Sequence, residues 1–118
     1  MTNFVHQPFT LWATGTELEV HAGFLAYSVD SPSVVDLVFP LYDGSGDATS
    51  YKVPRELLAA GLQHCATWGE FTIRPDDRPD WLVVTLPFGK AGDFYADAVV
   101  VRQFIDATAE LVPMDVAA

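Results

Sequence analysis

The 118 residues and 12.9 kDa of this chain match the usual size of one domain, and a hydrophobic content of 50% excludes a mainly disordered chain. The 16 acidic residues outnumber the 6 basic ones, so the formal net charge is -10 and the pI is about 4.3. Affinity for nucleic-acid backbones and for anionic membranes comes from Lys and Arg, so this charge balance disfavours both partners.

Cysteine content and hydropathy indicate the compartment. Cys65 is the only cysteine, so it has no intramolecular disulfide partner. Residues 1–10 contain neither Lys nor Arg and lack the apolar stretch of a signal peptide. The longest apolar runs are far shorter than the ~20 residues that span a bilayer. We therefore expect a cytoplasmic protein with one domain over residues 1–118 and no direct membrane insertion.

The first half of the sequence predicts four strands. Residues 9–14 are rich in aromatic residues and β-formers, and residues 17–27 begin with strict alternation of polar and apolar residues. A turn at residues 30–33 precedes a third strand at 34–41, and Pro40 predicts an edge or the end of pairing there. Residues 48–53 form the fourth predicted strand.

A helix follows these strands. Pro54 suits the first helical position, and the pattern predicts a helix over residues 55–64 with Leu57, Leu58 and Leu62 on its apolar side. Gly61 lies inside this helix at a propensity cost of about 1 kcal/mol, which predicts close packing against a neighbouring element.

The second half repeats the order of strands and helix. Strands are predicted at residues 69–74, 81–86 and 93–96, separated by turns at 75–80 and 89–92. Asp97 is a suitable N-cap for a last helix, which Pro113 ends. The apolar residues of this helix recur at spacings of three and four: Val101, Phe104, Ile105, Thr108, Leu111 and Val112. The predicted fold class is α+β, with two loosely repeated halves.

Metal and phosphate sites are disfavoured by spacing. His6, His21 and His64 are scattered, and no H-x-x-x-H or C-x-x-C pattern occurs. His64 is expected in the last turn of the first helix, where it would interact with the helix dipole. Residues 43–47 contain Gly-x-Gly but lack the Lys-Ser/Thr of a P-loop and the terminal Glu of an EF-hand, so we interpret them as a hairpin loop.

Catalysis is also disfavoured. Cys65 adjoins His64, but neighbouring residues seldom point their side chains at each other, so a packed or half-exposed thiol is the better interpretation. Asp76, Asp77 and Asp80 could bind a metal or act as an acid/base cluster. They lie beside two prolines and Arg78, so a solvated turn is favoured. We predict no catalytic, cofactor-binding or metal-binding residues.

The three tryptophans, Trp12, Trp68 and Trp81, could stack nucleic-acid bases, but they lack the accompanying Lys and Arg of single-strand binders. Core packing or a protein interface explains them better. Trp68 is predicted in a loop between a helix and a strand, and aromatic residues often anchor interfaces. Trp68 is therefore the candidate partner-binding residue.

Several segments carry a resemblance to a known family. They are YKVPRELLAAGL at residues 51–62, GEFTIRP at 69–75, AYSVDSPS at 26–33, and the pairs Phe104-Ile105 and Val112-Pro113. Taken in chain order, between about Glu17 and Pro113, these segments resemble the SsgA-like family of sporulating actinomycetes. The chain is short for that family, and residues 43–47 look like an insertion.

The resemblance implies a non-enzymatic regulator of sporulation-specific cell division. Family members select septum sites, and one of them recruits the tubulin-like protein FtsZ with the help of a second member. The implied fold is a curved, barrel-like antiparallel sheet with two helices, assembled as a homotrimer and similar to Whirly single-strand nucleic-acid binders. The expected partners are FtsZ and other SsgA-like proteins at division septa, without nucleic acid or cofactor. The alternatives are a Whirly-like nucleic-acid-binding module and a small-ligand-binding or enzymatic domain.

Overall fold

The computed structural model describes residues 3–13, 19–40, 45–86 and 93–114. Within these residues the chain forms eight strands and two helices. In chain order they are β1 (Phe4–Ala13), β2 (Glu19–Ser28), β3 (Val34–Pro40), β4 (Ala48–Pro54), α1 (Arg55–Gly61), β5 (Ala66–Trp68), β6 (Phe71–Pro75), β7 (Trp81–Thr85), β8 (Asp93–Asp97) and α2 (Ala98–Leu111).

The eight strands form one antiparallel sheet with the order β4-β3-β2-β1-β8-β7-β6-β5. Each half of the chain is thus a four-stranded meander followed by a helix. The halves join where β1 pairs with β8, with Trp12 opposite Tyr95. This topology confirms the predicted α+β class and the loose repeat of two halves.

Alternation along the strands separates an inner face from an outer face. In β1 the side chains of Phe9, Leu11 and Ala13 are buried, and those between them are only partly buried. The inner face packs against α2, which lies across β1 and β7. The core side chains of α2 are Val101, Phe104, Ile105 and Thr108.

The sheet curves into a near-barrel. At Gly23 a Cβ atom would lie 2.1 Å from the carbonyl oxygen of Val38 and 2.7 Å from Cδ1 of Phe39, so only glycine allows β2 to approach β3 this closely. The ring centroids of Tyr51, on the edge strand β4, and Phe71, on β6 next to the other edge strand β5, are 5.6 Å apart. The two edges of the sheet therefore face each other across a seam that α1 partly fills.

Helix α1 is shorter than the sequence predicted. Pro54 is its N-cap, with an extended backbone (φ -62°, ψ 138°), rather than its first helical residue. The helix ends at Gly61, so His64 lies beyond it and the predicted interaction of His64 with the helix dipole is wrong. Leu57 and Leu58 are buried as expected.

The prediction for Gly61 is confirmed. A Cβ atom there would lie 2.4 Å from Cγ2 of Ile73 on β6. Helix and strand are in direct contact at this point, which attaches α1 to the second half of the sheet.

Arg55, the first residue of α1, has a buried guanidinium with only 1% of the residue exposed. Its Nη1 donates to the carbonyl oxygens of Val112 at 2.7 Å and Thr108 at 3.4 Å, at the end of α2. The guanidinium also lies over the Tyr27 ring, 5.1 Å from its centroid. The partial negative charge of a helix C-terminus stabilises a cation, so Arg55 caps α2.

Helix α2 begins as predicted. The Asp97 carboxylate accepts hydrogen bonds from the backbone N–H groups of Val99 and Val100, which makes it the N-cap. The helix ends at Leu111, before Pro113.

The strand predictions differ from the structure mainly at their ends. Strand β1 begins at Phe4 rather than residue 9, and the strand β5 was not predicted. Pro40 is the last residue of β3, as expected. The predicted strand start at residues 17–18, part of the loop at 43–47 and the turn at 89–92 lie outside the described residues.

Gly61→Ala should destabilise the protein by about 1–3 kcal/mol, because the added methyl clashes with Ile73. The effect should appear in urea unfolding followed by circular dichroism. Ile73→Ala removes the clashing Cγ2 atom but keeps Cβ, which would lie 2.7 Å from the new methyl, so in a double-mutant cycle it should reduce the cost of Gly61→Ala in part. An equal cost of Gly61→Ala with and without Ile73→Ala would contradict the contact.

Arg55→Met should lower the free energy of unfolding by about 2 kcal/mol, since it leaves the Val112 carbonyl without its charged donor. Arg102→Met is the matched control, because Arg102 is exposed on α2 and should change stability by less than about 0.5 kcal/mol. Equal stabilities of the two variants in urea unfolding would show that Arg55 does not hold the end of α2.

Candidate functional site

The three histidines lie apart in the fold. The His6 ring packs against Phe24, with centroids 4.2 Å apart, and the His21 ring packs edge-on against Phe94 at 5.4 Å. His64 is exposed near the end of α1. Within the described part of the chain, no three His, Cys, Asp or Glu side chains are grouped closely enough to hold a metal ion.

Cys65 is a free, exposed thiol. The Nδ1 atom of the neighbouring His64 lies 3.1 Å from the backbone carbonyl oxygen of Cys65. This contact turns the imidazole towards the backbone rather than towards the thiol. The thiol is exposed, so the prediction of a packed or half-exposed side chain was wrong.

Asp76 and Arg78 form the turn between β6 and β7. Arg78 Nε donates to Asp76 Oδ2 at 2.7 Å, and this hydrogen bond lowers the pKa of the Asp76 carboxyl. The backbone N–H of Asp76 donates to the carbonyl of Trp81, which closes the turn, and Asp80 adopts a positive φ of 65°. The carboxylates therefore shape a turn, as the sequence predicted.

The same arginine completes an aromatic cluster on the outer face. The Trp12 and Trp81 rings meet edge-on with centroids 5.7 Å apart, and the Arg78 guanidinium lies 5.4 Å from the Trp81 ring and 4.8 Å from the Tyr95 ring. These four residues line a cavity of about 200 Å³. Arg78 is the one cation among the described residues of the cluster, so the cluster lacks the continuous positive stripe of a base-stacking groove.

An apolar patch occupies the outer face of β1 and β2. Its residues share the outward parity of their strands and none is charged. Val20 is 46% exposed and Phe4, at the far end of β1, is 62% exposed. We call it the outer-face patch; it consists of Phe4, Pro8, Trp12, Val20, Ala22 and Phe24. Exposed apolar patches of this kind commonly mark interaction surfaces.

Trp68 lies on the edge strand β5, and the prediction of a loop at this position was wrong. The strand was missed because it has three residues and its side chains are largely exposed. Trp68 is 47% exposed, and its ring lies 6.0 Å from that of Phe71. An aromatic side chain of this size at a sheet edge is available for contact with a partner.

A groove of about 330 Å³ runs beside Trp68. Trp68 forms one wall, and the other lining comes from the start of β3 and the end of β4. We call it the Trp68 groove; its lining is Ser33, Val34, Lys52, Val53, Pro54 and Trp68. The sequence predicted Trp68 but not the rest of the groove. The groove forms because β4 pairs with β3 and the two edges of the sheet come close together, and local sequence patterns do not reveal either contact.

Neither helix in the described ranges is long and apolar enough to cross a bilayer.

Comparison with known proteins identifies the family. The model of the Streptomyces sporulation and cell division protein SsgA matches residues 21–116. A search of curated proteins found no match.

Two solved structures share the fold. An SsgA-like sporulation-specific cell division protein from Thermobifida fusca is 22% identical, with a TM-score of 0.73 over 94% of this chain and 80% of that chain. A structure from a study of SsgB mutations that correlate with longitudinal division during sporulation of Streptomyces coelicolor is 20% identical, with a TM-score of 0.73 over 96% of this chain and 90% of that one. By its family match and its fold, the chain belongs to the SsgA family of sporulation and cell division proteins.

Proposed function

We propose that this protein is a non-enzymatic, cytoplasmic regulator of sporulation-specific cell division, which selects septum sites by binding and recruiting division proteins such as FtsZ. The observation that carries this proposal is the family match over residues 21–116. Trp68 is the candidate residue for contact with a partner.

The cavities described above favour binding over catalysis. An enzymatic site would bring several titratable groups together at one reacting position. The aromatic cluster contains one cation, Arg78, which is bound to Asp76, and the Trp68 groove contains one cation, Lys52. Both cavities are built mainly from apolar and aromatic surface, which suits contact with protein side chains.

The distribution of positive charge disfavours the Whirly-like alternative. Among the described basic residues, Arg55 is buried, and Lys52 and Arg78 pair with carboxylates. Arg74 and Arg102 lie apart, on β6 and α2. A strand-binding groove needs a continuous positive stripe along the phosphates.

The proposed scaffold is a homo-oligomer, with a trimer favoured, and the outer-face patch is its proposed contact surface. Copies that each carry a net charge of -10 repel one another, so they need an uncharged contact region. The outer-face patch offers such a region. A symmetric oligomer presents identical binding surfaces, and weak contacts to a polymer then gain avidity.

The test is sedimentation of FtsZ filaments from the same organism, with and without this protein. We expect the protein to pellet with the filaments and to increase the amount of polymer. If a folded, oligomeric protein stays in the supernatant, FtsZ is not its direct partner.

Val20→Asp should make the protein monomeric and weaken its binding to filaments at least tenfold, because avidity is lost. Val99→Asp is the matched control, since Val99 is 36% exposed on α2, outside the outer-face patch. Light scattering gives the oligomeric state. A monomeric variant that binds filaments with unchanged strength would refute the avidity mechanism.

A further inference from the structure

We infer that the Trp68 groove and the open edge of β4 together bind an extended peptide segment of a partner protein, one that alternates apolar and acidic side chains. The segment would add a strand to β4. This inference rests on the proposed function in one respect, namely that the protein works by binding partners.

The backbone of β4 has hydrogen-bonding groups directed at the open edge. The N–H of Arg55 donates to the carbonyl of Ser33, and the register continues with Val34 opposite Pro54. In an antiparallel pair, bonded and non-bonded positions alternate. The N–H and C=O groups of Ser50 and Lys52 therefore point away from β3, towards the side on which the described sheet has no further strand.

Pro54 agrees with this geometry. It faces the same open side as Ser50 and Lys52, and proline has no N–H to donate. The open edge thus runs from Ala48 to Lys52 and ends where the groove begins. A peptide strand that pairs with this edge would be held by main-chain hydrogen bonds. Pockets for its alternate side chains would determine which peptide sequences bind.

The groove supplies a pocket for the side chains of such a strand. Its volume of about 330 Å³ lies within the usual range of ligand pockets, about 300–1,000 Å³. Trp68, on the opposite edge strand, forms its aromatic wall, and Val34 and Pro54 add apolar surface. An apolar peptide side chain next to Trp68 would be enclosed on both sides.

The charge of the groove indicates an acidic segment. Among the described residues of the lining, Lys52 is the only charged one, and its side chain is 74% exposed. Its Nζ donates one hydrogen bond to Asp36 Oδ1 at 2.8 Å, and an ammonium group has three N–H donors. A peptide carboxylate beside Lys52 would therefore gain a charge-assisted hydrogen bond.

Charge also disfavours a second copy of this chain as the occupant. Strand β4 carries Lys52 as its only charged residue, so β4 of another copy has no carboxylate to place beside it. Edge-to-edge pairing of two copies would leave both lysines without a new partner.

The probe is a capped eight-residue peptide of alternating Val and Glu, added to the full-length protein. Amide hydrogen exchange by NMR reads out the pairing. In the free protein the Ser50 and Lys52 amides should exchange fast, and saturation with the peptide should slow them at least tenfold. The Tyr51 and Val53 amides are internal controls, because they already face β3. Two peptides N-methylated at alternate residues are compared: the one whose methyl groups face β4 should not slow the exchange, and the one whose methyl groups face away should slow it.

Two substitutions test the side-chain contacts. Trp68→Ala should weaken peptide binding about tenfold and Lys52→Gln about fivefold, as measured by titration. Their matched controls, Val99→Ala and Arg102→Gln, remove an exposed apolar group and an exposed cation from α2 and should leave the affinity unchanged. The peptide with Lys in place of Glu should bind at least tenfold more weakly.

Several results would overturn the inference: equal binding of the Lys peptide, binding without slowed exchange at Ser50 and Lys52, or slow exchange of these amides in the free protein. Protection that rises with protein concentration alone would assign the edge to a second copy instead. The peptide assay contains no division protein, so its failure leaves the FtsZ experiment intact. Failure of FtsZ to pellet with the protein likewise leaves peptide binding intact.

Discussion

The attachment of α1 to the second half of the chain is the constraint on which the near-barrel depends. Seven residues are too few for a helix that is stable alone, so tertiary contacts must hold α1 in place. At its first residue, the buried Arg55 guanidinium contacts the last carbonyls of α2, and at its last residue Gly61 packs on Ile73. Both ends of one short helix thereby join the first half of the chain to the second, through α2 at one end and β6 at the other, and the two sheet edges are held on either side of the helix.

The elements and sites that can be predicted from the sequence are those whose stabilising contacts join residues close together in the chain. Alternating apolar residues identified most strands, and Asp97 identified the start of α2, because these signals act within a few residues. The burial of Arg55 was not predicted, since its acceptors belong to a helix end far away in sequence. The aromatic cluster around Arg78 was missed for the same reason, as cross-strand register brings Trp12 and Tyr95 together. Trp68 stood out by residue type, but its groove depends on where the sheet edges meet.

The surfaces described here are separated by the shape of the sheet. The outer-face patch lies on β1 and β2 at the centre of the strand order, whereas the Trp68 groove lies at the margins, beside β4 and β5. Self-association through the central strands would leave the margins accessible. The chain has 16 acidic residues, but none of the residues that define either surface carries a carboxylate. A partner that contacts either surface therefore avoids direct repulsion from the acidic side chains of this protein.

The junction of β1 with β8 has a consequence for synthesis of the chain. The first meander and α1 can form as soon as they leave the ribosome, because their strands pair with neighbours in sequence. One edge of β1 then stays unpaired until β8, the last strand of the second half, has been synthesised. During that interval a nascent chain displays an unpaired, aromatic strand edge beside Trp12, a known hazard for aggregation. Slow translation of the second half would therefore prolong the risk of aggregation for this protein. A meander whose first strand is an edge strand in the folded state has no such waiting period.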